Sequence, residues 1–174
     1  MRLRMVINEI DIFQERKEVE PMDDKIYVHY GSNRFDPDKF KEPYYEDALT
    51  FKPLGGLWAS EDTDREGYWS WKDWCEAERY QIGCLESCFR FKLNDNQKAF
   101  VIEDTSVVDT PYAFYQYPFE GAASLSRIWV DIEKLKEDGY THVEFHENEK
   151  THYPFWSWDC DCIFIIDPTI IRPI

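Results

Sequence analysis

Three short segments carry side chains whose types and spacing could do chemistry. In His29-Tyr30-Gly31-Ser32 a histidine ends an alternating stretch, and a glycine follows that would let a ligand approach backbone amide and carbonyl closely. In Gly55-Gly56-Leu57-Trp58-Ala59-Ser60, running on to Tyr68 and to Trp71 and Trp74, aromatic faces lie beside hydroxyls, which suits a flat, partly polar ring. In Trp158-Asp159-Cys160-Asp161 two carboxylates two residues apart precede the apolar run Ile163 to Ile166 and would share one side of a strand. Burying carboxylates there is costly without a purpose. Each segment also has an ordinary structural use: a strand histidine bonded within the fold, indoles packed against a sheet, a solvated strand entrance.

The elements that must hold these segments are legible in the pattern. Ile26 to Tyr30 alternates β-branched and aromatic residues before a Gly-Ser-Asn turn, and Leu57 to Ser60 reads as a short buried strand after the Gly-Gly break. Trp71, Trp74, Cys75 and Glu78 fall at helical spacing behind Ser70, a candidate N-cap. Cys88–Leu93 and Ala99–Ile102 read as strands separated by Asn94-Asp95-Asn96, and Asp38 to Phe40 as one helical turn. Asp131–Asp138 reads as a short helix stopped by Gly139, Thr141–His146 as a strand, and Asp159–Asp167 as a strand ended by Pro168. Six or seven strands and two or three helices predict an α+β fold. Residues 1–25 form an expected N-terminal strand or edge element and charged connector, 26–174 a single domain, and the aromatic stretch near 109–120 an ordered insertion.

Composition bounds the partners. At 174 residues the chain suits one domain, and 17% aromatic content argues against disorder. A surplus of 35 acidic over 20 basic residues, net −15, argues against general phosphate-backbone binding. No stretch is long and apolar enough for a bilayer span or a secretory leader, so a cytoplasmic protein without membrane partners is expected. The five cysteines lack a C-x-x-C knuckle and are odd in number, which favours free thiols over a zinc site or a disulfide framework; no metal is expected.

In this order, His29-Tyr30-Gly31-Ser32, then Gly56-Leu57-Trp58-Ala59-Ser60 before Ser70 to Cys75, then Asp161 to Asp167-Pro168, the chain resembles the ADP-ribosyltransferase fold. The nearest likeness is to its poly(ADP-ribose) polymerase and diphtheria-toxin branch, over about Ile26 to Ile171. The resemblance implies a split, mostly antiparallel sheet with short helices, NAD as substrate, and mono-ADP-ribosyl transfer, a glycosyltransferase reaction, by a small bacterial or phage effector or toxin. His29 would bond the adenosine-side ribose, Gly31 backbone groups would hold the nicotinamide amide with Ser32 also a cofactor-binding residue, Ser60 or Ser70 would add a hydroxyl to that amide, and Trp58, Tyr68 or Trp71 would stack on the ring. The chain departs from the pattern at Tyr30, an inserted residue, and at Cys162, which stands where the family acid falls. The candidate acids are therefore Asp161, Asp159 and, on the preceding strand, Glu147. The acidity favours a protein or small-molecule acceptor over nucleic acid. Two other readings stay open: NAD hydrolysis at the same site, and an acidic, Trp-rich binding or immunity protein that blocks a basic partner.

Overall fold

The computed structural model describes residues 25–46, 51–116 and 127–174. The expected N-terminal element, up to residue 24, and residues 117–120 of the aromatic insertion lie outside the described residues. The chain order is β1 (Tyr27–Tyr30), β2 (Leu57–Glu61), α1 (Trp71–Glu78), β3 (Cys88–Leu93), β4 (Ala99–Ile102), β5 (Ala113–Gln116), β6 (Arg127–Val130), α2 (Ile132–Glu137), β7 (His142–Phe145), β8 (Cys162–Ile165) and β9 (Ile171–Pro173). Short 3-10 turns occupy Pro37–Lys39, Ile82–Glu86, Thr105–Asp109 and Pro168–Ile170.

Seven strands form one sheet in the order β4-β7-β8-β2-β1-β3-β9, and β5 and β6 form a second, two-stranded sheet. Every neighbouring pair is antiparallel except β4 with β7. The fold is α+β, with its sheet mostly antiparallel. β8 lies inside the large sheet between β7 and β2, and its four residues are all buried, so its sequence runs apolar without alternating. Phe164 packs into one core with Phe100, Val143, Phe145, Leu135 and Trp158. Ile163 and Ile165 point to the other face, against Ala59, Phe91 and Ile170.

Local chemistry sets the element ends. Ser70 and Asp73 make a reciprocal capping box at the start of α1, and Arg79 closes that helix in the left-handed region at φ 53°. The Asp131 carboxylate caps α2, and Gly139 follows it at φ 79°. Gly56 enters β2 at φ 52°, where an added Cβ would stand 2.5 Å from the Phe164 ring and 2.7 Å from the Ile165 carbonyl oxygen. Only glycine lets β2 lie this close to β8.

The two strands expected on either side of Asn94–Asn96 form, and one sequence expectation changes. β3 and β4 do not pair with each other across the Asn94–Asn96 turn; β3 pairs with β1 and β9, and β4 with β7. The strand expected from Asp159 begins only at Cys162, because Asp159 lies in the left-handed region at φ 65° and the Asp161 backbone N–H donates to the Trp69 carbonyl, 2.8 Å away. Asp159 and Asp161 therefore do not share a strand side.

Candidate functional site

The site is assembled where β1, β2 and the start of α1 meet the loop leading into β8. A cavity of about 430 Å³ opens there, within the range of small-ligand sites. Its walls include His29 of β1, Trp58 and Ser60 of β2, Trp71 of α1, and Lys52 and Tyr80. Four residues singled out in the sequence, His29, Trp58, Ser60 and Trp71, thus line one space.

Each is fixed by its local structure. The His29 Nδ1 stands 2.7 Å from the Trp58 carbonyl oxygen, so Nδ1 carries the proton and, in the neutral ring, Nε2 is an acceptor. Burial lowers the His29 pKa below the ordinary 6.5, and the Trp58 carbonyl offsets part of that shift. The Trp58 ring sits between Phe164 at 4.7 Å and the edge of Trp158 at 5.0 Å. Trp71 stacks on Trp74 with centroids 5.0 Å apart. The buried Ser60 hydroxyl donates to the Asp161 carbonyl and accepts from the Trp71 N–H, both at 3.0 Å, which leaves it one free lone pair. That hydroxyl joins β2, α1 and the β8 approach at one atom.

Other candidates lie outside the cavity wall. The Gly31 N–H donates to the Ser87 carbonyl at 2.7 Å, and the Ser32 hydroxyl donates to the Arg34 carbonyl on the surface. The Tyr68 hydroxyl accepts from the Glu61 N–H at 2.7 Å and donates to the Asp161 carbonyl at 3.4 Å, and burial raises its pKa. Tyr68 staples the end of β2. Ser70 caps α1, its hydroxyl bonded to Asp73.

The three candidate acids have three different surroundings. The Asp161 carboxylate is buried; one oxygen accepts from the Trp69 N–H at 2.7 Å, the other from the Glu147 N–H at 3.1 Å, and His146 Nδ1 lies 3.7 Å away. The Glu147 carboxylate meets His152 Nδ1 at 2.6 Å through one oxygen, and its other oxygen is buried without a protein partner. Glu147 and Asp159 both line a second, smaller cavity of about 70 Å³, together with Trp74 and His152. Asp159 is linked to the larger cavity through Lys52 of its wall, whose ammonium pairs with the Asp159 carboxylate at 2.6 Å.

Lys52 was not evident from the sequence, where it is one lysine before a Pro-Leu-Gly-Gly break. Cys84, Cys160 and Cys162 also line the larger cavity; all five cysteines are free thiols, and burial raises the Cys162 pKa. Among the described residues no group of three or more His, Cys, Asp or Glu side chains is placed to hold a metal, and no helix is long and apolar enough to cross a membrane.

Two histidines of this region should give stability opposite pH dependences. The Asp161 carboxylate raises the pKa of His146 against the opposing effect of burial, with further help from Glu144. Between 6.5 and that raised value the folded state binds more protons than the unfolded, so stability falls as pH rises through this window. For His29, lowered by burial, the unfolded state binds more protons below 6.5, so stability falls as pH drops from there toward the lowered pKa. Imidazole titration by NMR should place His146 above 6.5 and His29 below it, and His146→Ala should abolish the loss of stability on the alkaline side.

Comparison with protein-family models, with curated proteins and with solved structures finds no match to this chain.

Proposed function

We propose that the larger cavity binds NAD and that the protein is an NAD-dependent mono-ADP-ribosyltransferase. The observation that carries this reading is the convergence of His29, Trp58, Ser60 and Trp71, from three separated elements, on one cavity of ligand size. A binding protein that blocks a basic partner would need an acidic face and no such convergence.

The chemistry assigns roles to what the cavity offers. His29 Nε2 accepts a hydrogen bond from a ribose hydroxyl, because Nδ1 is already committed to Trp58. Trp58 and Trp71 supply faces for the nicotinamide ring, and the buried Ser60 hydroxyl fixes the backbone of the wall that carries them. In the reaction the bond from ribose C1′ to the nicotinamide nitrogen breaks and its electron pair leaves with nicotinamide. The acceptor's nucleophile then bonds C1′ and gives up its proton. A carboxylate stabilises the oxocarbenium-like ribose between these events. Asp159 takes that role in our reading, since both oxygens of Asp161 are taken up by backbone amides and Glu147 is turned to His152, whereas the Asp159 carboxylate meets Lys52 of the larger cavity's wall. A protein or small-molecule acceptor fits a chain of net charge −15.

The test is incubation of the purified protein with labelled NAD, following nicotinamide release and label transfer into a lysate. His29→Ala and Trp58→Ala should each weaken NAD binding about tenfold, the effect of losing a ribose hydrogen bond or a stacking face. Asp159→Asn should abolish nicotinamide release while leaving NAD bound. Release with only free ADP-ribose as product would make the protein an NAD glycohydrolase. No NAD binding would end the reading.

A further inference from the structure

The Lys52 ammonium occupies a distinctive position. It lies 4.7 Å from the centroid of the Trp58 ring, 5.4 Å from that of Trp71, and 2.6 Å from the Asp159 carboxylate. Two indole faces within about 6 Å and one carboxylate make a site whose electrostatics select a positive charge. Its side chain retains only 26% exposure and Asp159 only 22%, so the cation is largely desolvated and the pair is stronger than a surface ion pair. Trp58 and Trp71 are also among the rings that line the larger cavity, and in our reading they are the two that receive the flat ligand.

We propose that Lys52 is an internal occupant of a cation site built from Trp58, Trp71 and Asp159, and that the ligand is an aromatic cation that displaces it. The inference rests on the NAD reading for the identity of that cation, the pyridinium ring of oxidised NAD. A ring bearing one positive charge replaces an ammonium bearing one, so the charge balance of the pocket is preserved on exchange. Asp159 passes from the ammonium to the incoming cation, which places the carboxylate beside the ring as the glycosidic bond is loosened. The uncharged dihydropyridine of reduced NAD cannot make this exchange without leaving Asp159 uncompensated. Holding Lys52 in the cage therefore opposes every ligand, and opposes the neutral ring most.

Lysine 52 could instead serve as a clamp for phosphate oxygens, and the two roles predict opposite signs. Removing an internal competitor tightens ligand binding; removing a phosphate clamp weakens it. Lys52→Met keeps the stem and removes the charge. Oxidised NAD should bind this variant about three- to tenfold more tightly than wild type, as read from Trp quenching or calorimetry, which corresponds to the range of cation–π energies at partly exposed sites. Lys52→Arg should restore wild-type affinity, and oxidised NAD should bind wild type more tightly than reduced NAD. A Lys52→Met affinity that is equal to or weaker than wild type overturns the proposal.

A measurement on the unaltered protein stands beside the variants. Amine labelling of Lys52, followed by mass spectrometry, should speed up when oxidised NAD is added, because the ammonium leaves the cage; slower labelling overturns displacement. If neither form binds NAD, the 1-methylnicotinamide cation replaces it as the probe. Tighter binding of that cation to Lys52→Met than to wild type upholds the cage while the NAD reading falls. No gain in either experiment overturns the cage itself.

Discussion

Replacing Asp161 with alanine should cost about 4 kcal/mol of folding stability, measured by urea denaturation at neutral pH. The carboxylate is buried and accepts from two backbone amides, Trp69 N–H and Glu147 N–H. Alanine leaves both donors without a partner, and an orphaned buried donor costs roughly 1–3 kcal/mol. These two amides belong to the approaches of α1 and of the loop after β7, so the loss is felt on both sides of the cavity. Asp161→Asn should recover only part of it, because the amide nitrogen presents N–H groups to one of the donors. The same variants should remove the alkaline-side pH dependence assigned to His146, whose pKa is raised first of all by this carboxylate. A stable Asp161→Asn protein that binds NAD and releases no nicotinamide would instead make Asp161 the catalytic acid.

The sequence made the scaffold of the cavity readable and hid how its charges are used. His29, Trp58, Ser60 and Trp71 were visible because each sits in a segment with its own local signal: an alternating strand before a glycine, a Gly-Gly break, a serine before a helical stripe. Those local signals place the backbone, and the backbone places the side chains on the cavity side. The acids escaped this logic. Asp159 and Asp161 at alternate positions before an apolar run imply a common strand side, but the strand begins at Cys162 and Asp159 takes a left-handed conformation that no local pattern announces. Its partner Lys52 is 107 residues away in the chain. Long-range pairings of this kind depend on the packed sheet and leave no periodic trace. β6, four residues long, and β9, whose last residue is Pro173, were missed for a related reason: short edge elements take their pairing from neighbours rather than from propensity.

Trp158 is where core and cavity meet, and its truncation to alanine should be the most damaging single change in the aromatic core. The side chain is fully buried, has the largest volume of the fully buried set, and lies 5.2 Å from Phe145, 6.1 Å from Phe155 and 5.0 Å from Trp58. Its Nε1–H donates to the Phe51 carbonyl at 3.3 Å. Deleting a buried aromatic side chain of this size costs roughly 3–5 kcal/mol in transfer and cavity terms, and the orphaned carbonyl places the expected loss in the upper half of that range. Trp158→Phe refills most of the space and should cost about half as much. The edge-on contact to Trp58 extends the consequence to the site, because that contact holds the Trp58 ring against the cavity. In Trp158→Phe, a protein still folded by circular dichroism, NAD affinity should therefore fall severalfold through loosening of Trp58, and a Trp58→Ala, Trp158→Phe double variant should show no additional loss. Additive losses in that cycle would mean that Trp158 supports the fold without orienting the stacking face.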